Sequence, residues 1–257
     1  MRIVVFLMVV LPIVQRNKNQ NSSIASTPSN AGEASAVDRV TAASRLRLYK
    51  LGDQWVYYLA GDVALNNGSV VNITNGAATE SITDCFAQNG QNYFKVTTEA
   101  KMSLRGVSHS VTTRAVASYM QDPLTRCTYK IGDSYGAHIS LRQVKGTYQI
   151  YMPGAFSAST SVNNTITFDN GESTIRTAHV YPGVGQTSAA HVTIWTQIGV
   201  FTGWYLYEDE AKSNGNRDTT TGTFVPSIGQ YISETDVVHT VSNTTTLSFS
   251  LTSTNTN

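Results

Sequence analysis

The stretch Phe94-Lys95-Val96-Thr97-Thr98-Glu99-Ala100-Lys101-Met102-Ser103-Leu104 alternates between apolar and polar side chains for eleven residues. A period of two puts Phe94, Val96, Ala100, Met102 and Leu104 on one face of an extended chain, with Lys95, Glu99, Lys101 and Ser103 on the other. Arg105-Gly106 breaks the run, and Val107 through Met120 reads as a returning partner, so the segment predicts an antiparallel hairpin. The same period recurs on both sides. Trp55, Tyr57 and Leu59 oppose Val56, Tyr58 and Ala60, and Asn66-Asn67-Gly68 follows as a turn signal. Val192, Ile194 and Thr196 alternate with Thr193 and Trp195, and Ile198-Gly199 leads into Val200 through Tyr207. Val237, Val241, Leu247, Phe249 and Leu251 share one parity and read as a last strand. Turn signals every ten to fifteen residues and the lack of long helical periodicity predict a mainly β protein. Its expected form is a single antiparallel, strongly curved sheet, as a half-barrel, an open barrel or a sandwich.

Two copies of one pattern punctuate this β body. Tyr49-Lys50-Leu51-Gly52-Asp53-Gln54-Trp55 and Tyr129-Lys130-Ile131-Gly132-Asp133-Ser134-Tyr135 each carry an apolar-Gly-Asp step before an aromatic residue. Glycine accepts positive φ and aspartate bonds its own turn backbone, so Gly52-Asp53 and Gly132-Asp133 are both expected as turns feeding strands. Gly199, Pro226 and Gly229 are read as turn residues in the same way.

The second copy also contains Gly132-x-Ser134-x-Gly136, the pattern of a hydrolase nucleophile elbow. An elbow needs a strand, a strained turn and a helix. Here Ala137 through Arg142 alternates like a strand, and the first copy has Gln54 where the serine would stand. Ser134 therefore reads as part of a shared backbone pattern, and hydrolysis through Ser134, with His138 or another histidine as base, is the least favoured reading. His109, His138, His179, His191 and His239 are scattered and form no H-x-H or H-E-x-x-H pair, so no metal site is expected. Asn214, Asn216 and Asp218 have the spacing of a calcium-loop start. Val225 stands where the closing acid belongs, which leaves an exposed hairpin loop as the simpler reading.

The chain has 257 residues, of which 14% are charged against 40% hydrophobic, with net charge +1. That charge share lies well below the roughly 25% of ordinary soluble domains. Serine, threonine and asparagine fill the gap, which suits β faces that are polar without being charged. Thirteen Tyr, eight Phe and three Trp supply a core. The basic residues are scattered, so no nucleic-acid partner is expected. Cys85 and Cys127 can close one disulfide or remain two thiols.

Near the start, Arg2 precedes Ile3 through Val14, twelve nearly unbroken apolar residues. As a helix they reach about 18 Å, short of a bilayer core of about 30 Å. The pattern predicts a signal peptide or N-terminal anchor over residues 1–25, a flexible and partly helical linker over 26–44, and a β domain over 45–257. Membrane contact is expected only through the first of these. The location expected is exported: periplasmic, cell-surface or extracellular.

Leu51-Gly52-Asp53-x-Trp55-x-Tyr57, with Gly199-x-Phe201 and the later Phe224-x-Pro226-x-Ile228-Gly229 step, resembles uncharacterised exported bacterial proteins of the DUF3108-like and TapB-like group. These are similar in shape to LolA-type half-barrels. The resemblance implies a curved antiparallel sheet in the cell envelope and no activity. Ile198 stands where the group usually has alanine, and no lipobox cysteine is present.

The function expected is therefore non-enzymatic and needs no cofactor. An exported β protein would bind an apolar small molecule or an envelope component through Trp55, Tyr57, Trp195, Trp204 and Tyr205. The alternative is a structural or adhesive surface module. The two differ in one respect: a carrier encloses a continuous apolar cavity, whereas a structural module has a filled core.

Overall fold

The computed structural model describes residues 44–64, 69–135, 140–183, 186–188, 190–240 and 243–255. The expected signal segment and most of the expected linker lie outside the described residues, as does the Asn66-Asn67-Gly68 turn.

Among the described residues fourteen strands follow one another: β1 (Gln54–Ala64), β2 (Val70–Gln88), β3 (Gln91–Leu104), β4 (Val111–Gln121), β5 (Thr128–Tyr135), β6 (Ser140–Gln143) and β7 (Ile150–Met152) come first. They are followed by β8 (Ser161–Thr167), β9 (Ser173–Val180), β10 (His191–Thr196), β11 (Gly199–Lys212), β12 (Arg217–Val225), β13 (Gln230–His239) and β14 (Thr244–Thr254). All belong to one sheet in the order β6-β5-β4-β3-β2-β1-β14-β13-β12-β11-β9-β8, with β7 on β5 and β10 on β11. Every pairing is antiparallel. The protein is thus mainly β, as the alternation requires.

The sheet is not closed by a continuous ladder, yet its two ends meet. Val144, just past β6, forms a single bridge with Phe168, just past β8. The Lys145 amide donates to the Thr167 carbonyl at 2.8 Å, and the Asp169 amide donates to the Gln143 carbonyl at 2.9 Å. Bulges between Val56 and Tyr57, between Tyr58 and Asp62, and between Thr223 and Phe224 sharpen the twist that brings the ends together.

The expected hairpin is present as β3 and β4, with Met102 opposite Val111 and Asn92 opposite Gln121. The inner face carries Trp55, Tyr57, Leu59, Phe94, Val96, Phe224, Tyr231, Leu247 and Phe249, each 2% exposed or less. Residues 45–50 thread along the same core. The Leu46 amide donates to the Gly154 carbonyl (2.8 Å), and Gln121 Nε2 donates to the Arg47 carbonyl (2.9 Å).

Two sequence expectations need correction. Gly52 has φ +84°, and Asp53 Oδ2 accepts the Lys50 amide at 3.0 Å, so the first Gly-Asp step is a turn. The second is not. Gly132 and Asp133 lie inside β5, paired with both β4 and β6. Gly132 is there for space, because a Cβ would sit 2.7 Å from the Arg142 carbonyl oxygen. The proposed single last strand is likewise two elements: Val237 belongs to β13, while Leu247, Phe249 and Leu251 belong to β14. Val237 pairs with Thr246 on the outer face, whereas Asp236 stands opposite Leu247 inside, so the shared parity does not carry across the two strands; Val241 lies outside the described residues.

Candidate functional site

Two features of the sheet can bear chemistry: a charged layer inside it and a hydroxyl-lined depression outside it. The inner layer arises because several strands put acids where the alternation calls for apolar residues. On β11, Glu208, Glu210 and Lys212 continue the parity of buried Trp204 and Leu206. On β13, Glu234 and Asp236 continue that of Gln230 and Ile232. Glu80 on β2 and Arg176 on β9 face the same interior and are fully buried.

Arg176 organises one half of this layer. Its guanidinium pairs with Glu208, lies 3.5 Å from Glu210, donates to the Tyr151 carbonyl at 2.6 Å and stacks 4.0 Å from the Tyr151 ring. Tyr151 and Tyr231 hydroxyls donate to Glu210 (3.1 Å) and Glu208 (2.7 Å). Burial opposes the arginine charge, but the carboxylates, Glu208 first, outweigh it and hold Arg176 more firmly protonated than usual. Nearby, Lys130 and Arg142 grip Asp133 at 2.7 and 2.6 Å, and Lys212 pairs with Asp218. Burial pushes Asp133 up, but its two cations outweigh burial and hold it below the usual range.

The other half has no cation facing it in an ion pair among the described residues. Glu80 accepts hydrogen bonds from Thr98 Oγ1 (3.1 Å) and Gln230 Nε2, and Asp236 accepts one from Thr220 Oγ1 (2.7 Å). Glu234 Oε2 is buried with no hydrogen-bond partner among the described residues. Burial raises Glu80 to about 8. It also raises Asp236 and Glu234, with Asp236 and then Glu80 lifting Glu234 further. Burial thus disfavours the charged form of all three carboxyls, and no group of three or more metal-ligating side chains is assembled among the described residues.

The outer depression has a volume of about 280 Å³. Its floor is a grid set by strand register. Thr223, Ser233 and Ser250 form one row across β12, β13 and β14, and Thr221, Thr235 and Ser248 form the next. Tyr205 and Tyr181 stand at one end, with ring centroids 5.8 Å apart.

The five aromatic ligand candidates do not gather at one place. Trp55, Tyr57 and Trp204 are buried in the core, where Tyr57 meets Phe249 edge-on at 6.2 Å. Trp195 is 80% exposed on β10, opposite Val200. Tyr205 is half-buried at the outer depression. Cys85 and Cys127 are both free thiols, so the disulfide alternative is not realised, and Cys85 Sγ lies 3.3 Å from Asn92 Oδ1. Gly199 (φ +145°) closes the β10–β11 hairpin, and Pro226 and Gly229 (φ +69°) sit in the turn from β12 to β13. Ser134 lies in extended β5, and its Oγ accepts the Val116 amide at 2.7 Å. His138 lies outside the described residues. The Asn214–Asn216 turn joins β11 to β12, and Asp218 is committed to Lys212.

Reading residue types alone missed the inner acids. The signal was nonetheless present: Glu208-Asp209-Glu210 is the densest acidic run, and its alternation with Trp204 and Leu206 puts two of the three acids inside.

No family model matches the chain, and no curated protein matches it. Among solved structures, a Bacteroides fragilis protein assigned as exported, with a YmcC-like fold, aligns at TM-score 0.41 and 7% identity over 82% of this chain and 99% of its own. A Parabacteroides distasonis protein assigned as a lipoprotein aligns at TM-score 0.37 and 8% identity over 83% of this chain and 99% of its own.

Proposed function

We propose that the chain is an exported, non-catalytic envelope protein that acts as a structural or adhesive module, not as a carrier of apolar ligands. The observation that carries this reading is the tight packing of the core side chains among the described residues. Trp55, Leu59, Val63, Val96, Phe224, Tyr231 and Leu247 have no exposed surface at all. A side chain bordering a void that admits water would retain some. The interior is also unsuited to a lipid tail, because Arg176, Glu80, Glu208, Glu234 and Asp236 share it with the aromatic residues. The export half of the reading rests on the apolar run Ile3–Val14 and on a composition rich in uncharged polar residues. Ser134, engaged by the Val116 amide within a strand, supports the non-catalytic half.

Expression in a bacterial host, fractionation and solvent extraction of the purified protein test this. The expected result is an envelope-fraction protein that yields no stoichiometric lipid by mass spectrometry and no labelling by a fluorophosphonate probe. Co-purified lipid at one equivalent restores the carrier reading. Labelling that is lost in Ser134→Ala restores the hydrolase.

A further inference from the structure

We propose that the outer depression between Tyr205 and the hydroxyl rows of β12, β13 and β14 is a subsite for one ring of a neutral saccharide. This inference rests on the adhesive reading above and names the ligand class for it.

The lining carries the first argument. Six hydroxyl residues line it, each able both to donate and to accept: Thr221, Ser233, Thr235, Ser248 and Ser250 are open to solvent, and Thr223 is the most buried at 6% exposed. Register fixes them as two rows of three across adjacent strands. Neighbouring strands lie about 4.8 Å apart, and next-but-one residues about 6.8 Å apart. The grid therefore offers hydroxyls at the scale of the substituents around a single sugar ring. Thr235 Oγ1 and Ser248 Oγ, 3.4 Å apart, already engage one another across two strands.

Charge carries the second. Glu234 is the one ionisable acid among the lining residues, and its carboxyl points into the core, where it is 5% exposed. Among the described residues no basic side chain lines the depression. Such a surface has nothing to pair with a phosphate, a carboxylate or an ammonium group, so the ligand it suits is polar and uncharged.

The third argument is the aromatic wall. Tyr205 alternates with buried Trp204 and Leu206 and so faces outward. The Tyr181 amide donates to the Tyr205 carbonyl at 3.1 Å, which draws the chain after β9 across the Tyr205 ring. Gly183 presses so close that a Cβ there would lie 2.0 Å from Tyr205 Cε2. The ring is thereby fixed by backbone and pre-set as a platform for the C–H face of a sugar. The volume, about 280 Å³, lies at the small end of ligand sites and suits one ring.

Titration of the full chain with methyl hexopyranosides of gluco, manno and galacto configuration, followed by saturation-transfer NMR, tests this, with methyl glucuronate as the charged comparison. At least one neutral glycoside is expected to bind in the millimolar range, with glucuronate at least tenfold weaker. Tyr205→Ala and the Thr235→Val/Ser248→Ala pair should each weaken binding at least tenfold. Trp195→Ala, on the separate β10 hairpin, should leave it unchanged. Thermal melting of each variant identifies any that fails to fold. Ser233→Ala, at an exposed position, then supplies the readout, with a weakening of at least threefold expected. Absence of binding by any neutral glycoside, equal binding of glucuronate, or full binding by the Tyr205 and hydroxyl variants overturns the proposal. None of those outcomes bears on export or on the absence of catalysis, which the fractionation and labelling experiments read separately.

Discussion

Arg176 shows how one residue can hold opposing demands together. It is 0% exposed, and its charge is tolerated only because Glu208, Glu210 and the Tyr151 carbonyl surround it. Removing one partner of such a set leaves the others buried and uncompensated, which costs about 3–5 kcal/mol. Arg176→Met should therefore lower the urea midpoint sharply, and Arg176→Met/Glu208→Gln should recover part of the loss because one stranded carboxylate is neutralised. A double variant no more stable than the single one would show that the cost lies in packing against the Tyr151 ring. The sequence made the first half of β11 readable, left β9 unread and hid these inner charges. Arginine and glutamate at alternating positions look the same whether they face water or the core. The parity of Glu208 and Glu210 with Trp204 and Leu206 decides between the two, and it was legible only once the strand was known to run unbroken to Lys212.

At the scale of elements, two glycines in matching heptads do different jobs. Gly52 sits in a turn at φ +84° with nothing within 4 Å of a built Cβ, so Gly52→Ala pays only for the backbone, about 1 kcal/mol. Gly132 is extended, and its Cβ would strike the Arg142 carbonyl at 2.7 Å. Gly132→Ala should push β6 away from β5, cost about 1–3 kcal/mol and loosen the Asp133–Arg142 pair. Equilibrium unfolding of the two variants, with amide exchange along β5 and β6, checks the contrast. The local letters could predict a Gly-Asp turn at both places because they encode what glycine permits. What differs is the neighbour: Gly52 bonds its amide to the Ile82 carbonyl of β2 and leaves its Cβ position clear, whereas at Gly132 that position faces the Arg142 carbonyl of β6, a fact of tertiary pairing. The meeting of the sheet's two ends was equally illegible, since Val144 and Phe168 share no local pattern. It has its own consequence. Lys145→Pro deletes the 2.8 Å bond to the Thr167 carbonyl, so the Asp169 amide, bonded to Gln143 across the same seam, should exchange at least tenfold faster, a change of about 1.4 kcal/mol in local opening. Unchanged exchange at Asp169 would show that packing of Phe168 alone holds the ends together.

For the molecule as a whole, the interior holds more acids than bases. Among the described residues, buried Asp53, Glu80, Asp133, Glu208, Glu210, Asp218, Glu234 and Asp236 outnumber the buried cations Lys130, Arg176 and Lys212. The net charge of +1 for the whole chain conceals this, because the compensating cations lie on the surface. The surplus is absorbed by protons. Glu80, whose carboxyl ordinarily titrates at 4.5, is raised by burial to about 8, and Asp236 and Glu234 move in the same direction. Across that window the folded protein binds more protons than the unfolded chain, so the Glu80 contribution is full below about pH 4.5 and is lost as pH rises through about 8, with Asp236 and Glu234 acting in the same direction. Asp133 runs the other way: its carboxyl is lowered from 3.8, so its contribution is present above that value and disappears as pH falls further. The two trends place maximum stability between roughly pH 4 and 5, on the acid side of the usual optimum of about 5–8. Melting temperatures from pH 3 to 9 should peak there and decline towards pH 8, with the decline summing to on the order of several kcal/mol. Asp236→Asn keeps the acceptor for Thr220 and removes the ionisation, so it should flatten the alkaline limb without moving the acid one. An alkaline limb that keeps its full slope in Asp236→Asn and in Glu234→Gln would mean that these carboxyls are already ionised in the folded protein, and that a cation or a rearranged interior meets them there.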